Sequence, residues 1–179
     1  MRRVLRLVPD IVLSVSVTTR HPRRGERDGV DYFFVSDGEF DRMAEAGELL
    51  EWAEIYGHRS GTPARFLAET RDRGSDVLLE IDVQGAGWAR KREPNAVLVF
   101  LSPPSAEELR RRLRERGTED ADGLARRLEK AEWETAQAAW FDHVVVNDDA
   151  DRAAAEVAAI IRASRHPTAR HPTEGSTPP

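Results

Sequence analysis

Three short runs of consecutive apolar residues limit what this chain can fold into more than any other feature. Val77-Leu78-Leu79, Val97-Leu98-Val99-Phe100-Leu101 and Val144-Val145-Val146 show no polar alternation. A strand that is apolar on both faces must be covered on both, and such strands belong to parallel sheets flanked by helices. The runs place core strands at residues 76–81, 96–101 and 141–146. A helix over 85–91 links the first two, so the stretch reads as β-α-β. The first run leads into Glu80-Ile81-Asp82, and carboxylates at the carboxyl end of such a strand sit where open α/β sheets gather their ligands.

The amino-terminal part has a different texture. Residues 1–7 read as a helix that Pro9 ends, because proline disfavours helical geometry at Val8. A strand over 11–17 alternates near its end, and the chain then turns through HPRRGERDGVD into an aromatic strand over 32–35. Ser36 and Glu39 form a capping-box pattern for a helix whose inner face is Phe40, Met43 and Ala44, closed by Gly47. A strand follows over 49–56, and Thr62-Pro63 opens a helix reaching about residue 73. Residues 16–73 therefore form a small, mixed lobe inserted between core segments 1–15 and 74–163. Ser105 caps an arginine-rich helix, and residues 112–127 form a short basic helical hairpin, a candidate lid. A helix over 151–162 closes the core, and residues 164–179 lack periodicity, as in a disordered tail.

Composition removes several functions. The chain has 179 residues, 33% of them charged, and a formal net charge of -5, which argues against general nucleic-acid binding. Without cysteine, disulfides and thiolate metal sites are excluded, and five scattered histidines form no ligand-spaced pair. No apolar run approaches membrane-spanning length and no signal peptide is visible, so a cytoplasmic protein is expected.

Three sets of side chains carry chemistry. Ser16, Arg20, Arg23, Tyr32 and Ser60 suit a terminal phosphate, since guanidinium forks match anionic oxygens and hydroxyls add donors. Glu51, Thr62 and Asp82 offer acceptors and a hydroxyl for the donor edge of a base. Arg112, Arg116 and Arg127 suit charge on phosphates in transfer, a reaction catalysed mainly by positioning and charge stabilisation.

In combination the segments SVSVTTRHPRRGERDGVDYFFVS, ELLEWAEIYGHRSGTP, LLEIDVQGA, RRRLRERGTED and HVVVNDD resemble the guanylate kinase family across residues 3–162. The resemblance implies a three-layer, P-loop-kinase-like α/β core with a GMP-binding lobe and a helical lid. It further implies ATP-dependent phosphorylation of GMP to GDP, with magnesium accompanying ATP. It assigns the GMP phosphate to Arg20, Arg23 and Tyr32, with Ser60 at a position of the same pocket. It gives the guanine edge to Ser16, Glu51 and Thr62, and places Asp82 between guanine and the magnesium region. Arg112, Arg116 and Arg127 become lid and catalytic arginines, with Arg112 and Arg116 also on ATP phosphates and Asn147 near adenine.

Two departures qualify these expectations. No glycine precedes Gly25 and no lysine precedes Lys91, so the family's glycine-rich loop, its phosphate lysine and its magnesium hydroxyl are absent from the sequence. That absence is expected either from a start placed too far downstream or from a short relative that binds GMP or a protein without turnover. The family pattern also carries two tyrosines where this chain has Arg59 and Ser60.

Overall fold

The computed structural model describes residues 1–55, 57–115 and 121–165, without the side chains of 121–124. The chain divides into two compact units, Met1–Ala96 and Val97–Pro179.

The first unit begins with α1 (Arg2–Leu7), which stops where Pro9 forces Val8 into extended geometry, φ -121 and ψ 109. It continues through β1 (Ile11–Leu13), β2 (Val17–Thr18), β3 (Phe33–Phe34), α2 (Asp37–Glu45), β4 (Leu49–Ile55), β5 (His58–Pro63), α3 (Ala64–Asp72), β6 (Asp76–Leu78) and α4 (Val83–Arg92). β1 and β6 form a parallel pair. The other strands form a mixed sheet in the order β3-β2-β5-β4, parallel only between β2 and β3. This sheet and α2 fall within residues 16–73, in the same unit as β1, β6 and α4.

At the start of α2, Ser36 Oγ accepts the Glu39 N–H at 3.2 Å, which satisfies one free amino-terminal donor. Only that half of the capping box forms, because the Glu39 carboxylate binds Arg42. At the other end Gly47 has φ +68, a left-handed conformation that glycine adopts without cost. The turn returns the Glu48 N–H to the Met43 carbonyl and the Gly47 N–H to that of Ala44, a Schellman closure. The helix thereby drops Phe40 onto Val17 and Leu49, with Val35, Met43 and Ala44 around them.

The second unit holds β7 (Val99–Ser102), α5 (Ala106–Glu115), α6 (Ala121–Ala136), a 3-10 turn (Gln137–Trp140), β8 (His143–Val146) and α7 (Ala150–Ser164). β7 and β8 pair in parallel, Val99 against His143 through Ser102 against Val146. Ser105 caps α5 through the Glu108 N–H, and Asp149 caps α7 through those of Asp151 and Arg152.

The strands differ from expectation in three ways. The strand expected over 11–17 is two strands, because the chain leaves the β1–β6 pair at Ser14 and joins the mixed sheet at Val17. The core strands are shorter than the apolar runs and less covered. Residues 79–81 lie outside β6, and Val77 and Leu78 are only half-buried. On β8, Val145 is fully buried while Val144 and Val146 remain 48% and 38% exposed. Each of these strands has one strand partner among the described residues. Finally, the predicted β-α-β stretch divides between the two units, with β6 paired to β1 in the first and β7 paired to β8 in the second. The expected tail at 164–179 lies outside the described residues beyond Arg165.

Phe40 is 0% exposed and meets Trp52 edge-to-face at 6.0 Å. Phe40→Ala is expected to cost about 3–5 kcal/mol in chemical denaturation, as for deleted aromatic cores. Val144→Ala, at an exposed position, should cost well below that.

Candidate functional site

The arginine turn is built around a carboxylate. Arg20 Nη1 and Nη2 each donate to the Glu26 carboxylate at 3.0 Å, a fork-to-fork pair. Arg20 Nη1 also donates to the His21 carbonyl at 2.7 Å, and the guanidinium lies 5.3 Å from the Tyr32 ring centroid. The Arg23 N–H donates to Glu26 Oε2 at 2.7 Å. Gly25, with φ +91, is the third residue of the turn that returns the Glu26 N–H to the Arg23 carbonyl. The hydrogen bond from Arg20 holds the Glu26 carboxyl below its usual range, helped by the Arg23 backbone. Arg20 is thus locked in place before any ligand arrives, with Tyr32 against one face. Arg23 and Arg24 are exposed, and Ser16 is half-buried on the approach to β2. Glu26 was not among the predicted site residues; its spacing three residues after Arg23, just past a turn glycine, was the available signal.

Ser60 and Arg59 are committed to the lobe. Ser60 Oγ donates to the Val17 carbonyl at 3.2 Å. Arg59 donates to Asp37 at 2.8 Å and to Asp41, and its guanidinium stacks 4.9 Å from the Phe40 ring centroid. Arg59 therefore ties β5 to the first turns of α2.

The second set closes on itself. Glu51 and Thr62 are 5% and 1% exposed, and the Thr62 hydroxyl donates to Glu51 Oε1 at 2.7 Å. A Cβ at Gly85 would stand 2.5 Å from Glu51 Oε2, so the glycine gives that oxygen its space. Asp82 caps α4 by accepting the Gly85 N–H at 2.9 Å. Asp82 therefore has a structural task at the helix start besides any contact with a ligand. Burial pushes the Glu51 carboxyl up; the Thr62 hydroxyl opposes this, the Asp82 charge adds to it, and the Arg92 charge opposes it. The result is a buried acceptor with one oxygen oriented by a hydroxyl and the other facing a helix start.

In the second unit Arg112 donates from Nη1 to the Asn147 carbonyl at 2.9 Å and from Nε to Glu108 at 2.7 Å. Arg112 and Asn147, assigned separately from the sequence, are thus in direct contact. Arg127 is half-buried on α6, and Arg116 lies outside the described residues.

The first unit offers a paired arginine turn and a buried carboxylate acceptor, the elements of a site for an anionic ligand with hydrogen-bond donors. Comparison with known proteins narrows this class. The guanylate kinase family model matches residues 4–164. Guanylate kinase of Symbiobacterium thermophilum is 49% identical over 171 residues, covering 95% of this chain and 81% of that one. That of Nocardia farcinica is 52% identical over 162 residues, covering 89% and 84%. The crystal structure of guanylate kinase from Anaplasma phagocytophilum superposes with a TM-score of 0.79 at 38% identity, covering 93% of this chain and 82% of that chain. The chain belongs to the guanylate kinase family and has its mixed α/β fold.

The raised carboxyl of Glu51 gives a pH signature. Above its folded-state pKa the ionised group costs stability, and this cost lapses as the pH falls through that value. Thr62, Asp82 and Arg92 face it and set the balance. Glu51→Gln is therefore expected to raise the thermal midpoint most at about pH 8, with the gain shrinking towards about pH 5. Midpoints of both proteins across that range check this, and a gain that grows as the pH falls would contradict the sign.

Proposed function

We propose that this chain serves the ATP-dependent phosphorylation of GMP to GDP, with ADP released. The observation that carries the reading is the buried Glu51–Thr62 pair in the same unit as the Arg20–Glu26 turn. A carboxylate accepts from guanine N1–H and N2–H2 together, a donor pair that adenine does not offer. In this reading Thr62 orients Glu51 and addresses the base with Ser16 and Asp82. Arg20, Arg23, Tyr32 and Ser60 hold the GMP phosphate. Arg112, Arg116 and Arg127 neutralise charge on the ATP phosphates and the transferring group, and Asn147 lies towards adenine. Fixed cations of this kind act by positioning both substrates and stabilising charge in transfer.

Magnesium is expected to enter with the ATP phosphates. Among the described residues no group of three or more His, Cys, Asp or Glu side chains is placed to hold a metal ion. The proposed location is cytoplasmic; no helix among the described residues is long and apolar enough to cross a membrane. The proposed single domain spans residues 1–163, with the GMP lobe at about 16–73 and the lid at about 112–127.

A second reading is a GMP-binding or protein-interaction module without turnover. In these 179 residues no glycine or lysine precedes Gly25. A phosphate-cradling loop needs several backbone N–H groups at a helix start, and arginines at positions 2 and 3 do not supply them.

Calorimetry should show tighter binding of GMP than of AMP. Glu51→Ala is expected to remove about 2–5 kcal/mol from GMP binding with little effect on AMP, whereas Arg20→Ala weakens both. Equal affinity of the unaltered protein for the two nucleotides would refute base reading by Glu51.

A coupled ADP-release assay separates the two readings. The 179-residue polypeptide is expected to turn over weakly or not at all. The same polypeptide carrying a relative's amino-terminal strand and glycine-rich loop should release ADP in a GMP-dependent way. Robust turnover by the shorter form would overturn this account of the donor side, and an inactive longer form that binds GMP would support the module.

A further inference from the structure

We propose that Arg92 is a positioning residue for base recognition, acting through the backbone that aims Glu51. This rests on the reading of Glu51 as the guanine acceptor. The starting observation is an irregularity in β4. Leu49 pairs with Pro63 and Glu51 with Thr62, so Leu50 is an extra residue in the ladder. Such a bulge re-aims the side chains beside it and weakens the local backbone pairing. Glu51 is the first residue after it.

Arg92 reaches this irregularity from the last turn of α4. Its Nη1 donates to the Leu49 carbonyl at 2.6 Å and also to the Leu50 carbonyl. One nitrogen thus ties together the two peptide groups that precede Glu51. The neighbouring cations of the same turn do otherwise: Arg90 donates to the nearby Pro94 carbonyl at 3.4 Å, and Lys91 lies 5.1 Å from the Trp88 ring centroid. A cation at a helix carboxyl end is favoured by the helix dipole alone. That general effect does not require contact with a strand more than forty residues away, as the separations of 43 and 42 residues show.

The other end of α4 completes the device. Gly85, in its first turn, faces Glu51 Oε2 and is capped by Asp82, while Arg92 in its last turn holds the backbone leading to Glu51. One helix thereby locates both the carboxylate and the peptide groups before it. The Arg92 charge also favours the ionised form of Glu51, the form that accepts two donors. The guanidinium is suited to this because the two N–H donors of Nη1 are fixed in the plane of a rigid group, whereas the donors of an ammonium rotate on a flexible stem.

The test is calorimetry with GMP and AMP on the unaltered protein, Arg92→Met, Arg92→Lys and Glu51→Ala, with circular dichroism to confirm folding. Arg92→Met is expected to weaken GMP binding about tenfold and AMP binding less than about twofold. Arg92→Lys should recover part of the loss. A purely structural role would instead lower the thermal midpoint and move both nucleotides together. If Arg92→Met fails to fold, Arg92→Lys carries the comparison, and loss of folding in both assigns Arg92 to stability and overturns the proposal. Loss of GMP preference in Glu51→Ala but not in either Arg92 variant overturns the role of Arg92 alone. Absence of GMP preference in the unaltered protein overturns the Glu51 reading and this one with it.

Discussion

The first unit keeps one carboxylate, that of Glu51, almost wholly out of water. Taking an unpaired carboxylate out of water costs several kcal/mol, so it persists only with specific partners. Glu51 has a hydroxyl donor in Thr62 and a glycine where any side chain would collide with its second oxygen. These come from different elements, so the strand pairing of β4 with β5 and the placement of α4 are both needed to hold it. The raised pKa records that the compensation is incomplete. A surplus acceptor in a dry setting is unfavourable for folding and useful for a ligand with donors, because such a ligand supplies what the protein leaves out.

The arginine turn follows the opposite design. Arg20 has its carboxylate partner already, and Glu26 is held in its charged form by that bond. A guanidinium fixed by Glu26, the His21 carbonyl and the Tyr32 ring has little rotamer freedom left to lose when an anion arrives. The same carboxylate lowers the net positive charge offered to that anion. Arg23 and Arg24 remain exposed nearby and can supply the balance. One site therefore has a poorly compensated acid, and the other an over-determined base.

Much of this was legible in the sequence where local rules decide. Pro9, Ser36, Gly47 and Ser105 set helix ends as their chemistry requires. The apolar runs located the core strands but overstated their length and covering, since an apolar run records what a strand tolerates, not which neighbours it has. Family motifs gathered Glu51, Thr62 and Asp82, and those three do meet around the start of α4. Glu26, Gly85 and Arg92 escaped notice for a common reason. Each acts on another site residue instead of carrying chemistry itself, and such support depends on long-range register that no local pattern encodes.

Arg59 and Ser60 show how residues at a proposed pocket position can also serve as scaffold. The family resemblance implies tyrosines here, one of them on the GMP phosphate. Ser60 Oγ donates to the Val17 carbonyl, which pins β5 to β2. Arg59 faces the acidic first turn of α2, where negative charge is already favoured by the helix dipole, and lies over the Phe40 ring. Both side chains therefore make attachments inside the lobe. The phosphate pocket must then rely more heavily on Arg20 and Arg23, which raises the importance of the Glu26 bond that fixes Arg20. Stiffness of the turn and loss of an aromatic hydroxyl are, on this account, two sides of one adjustment.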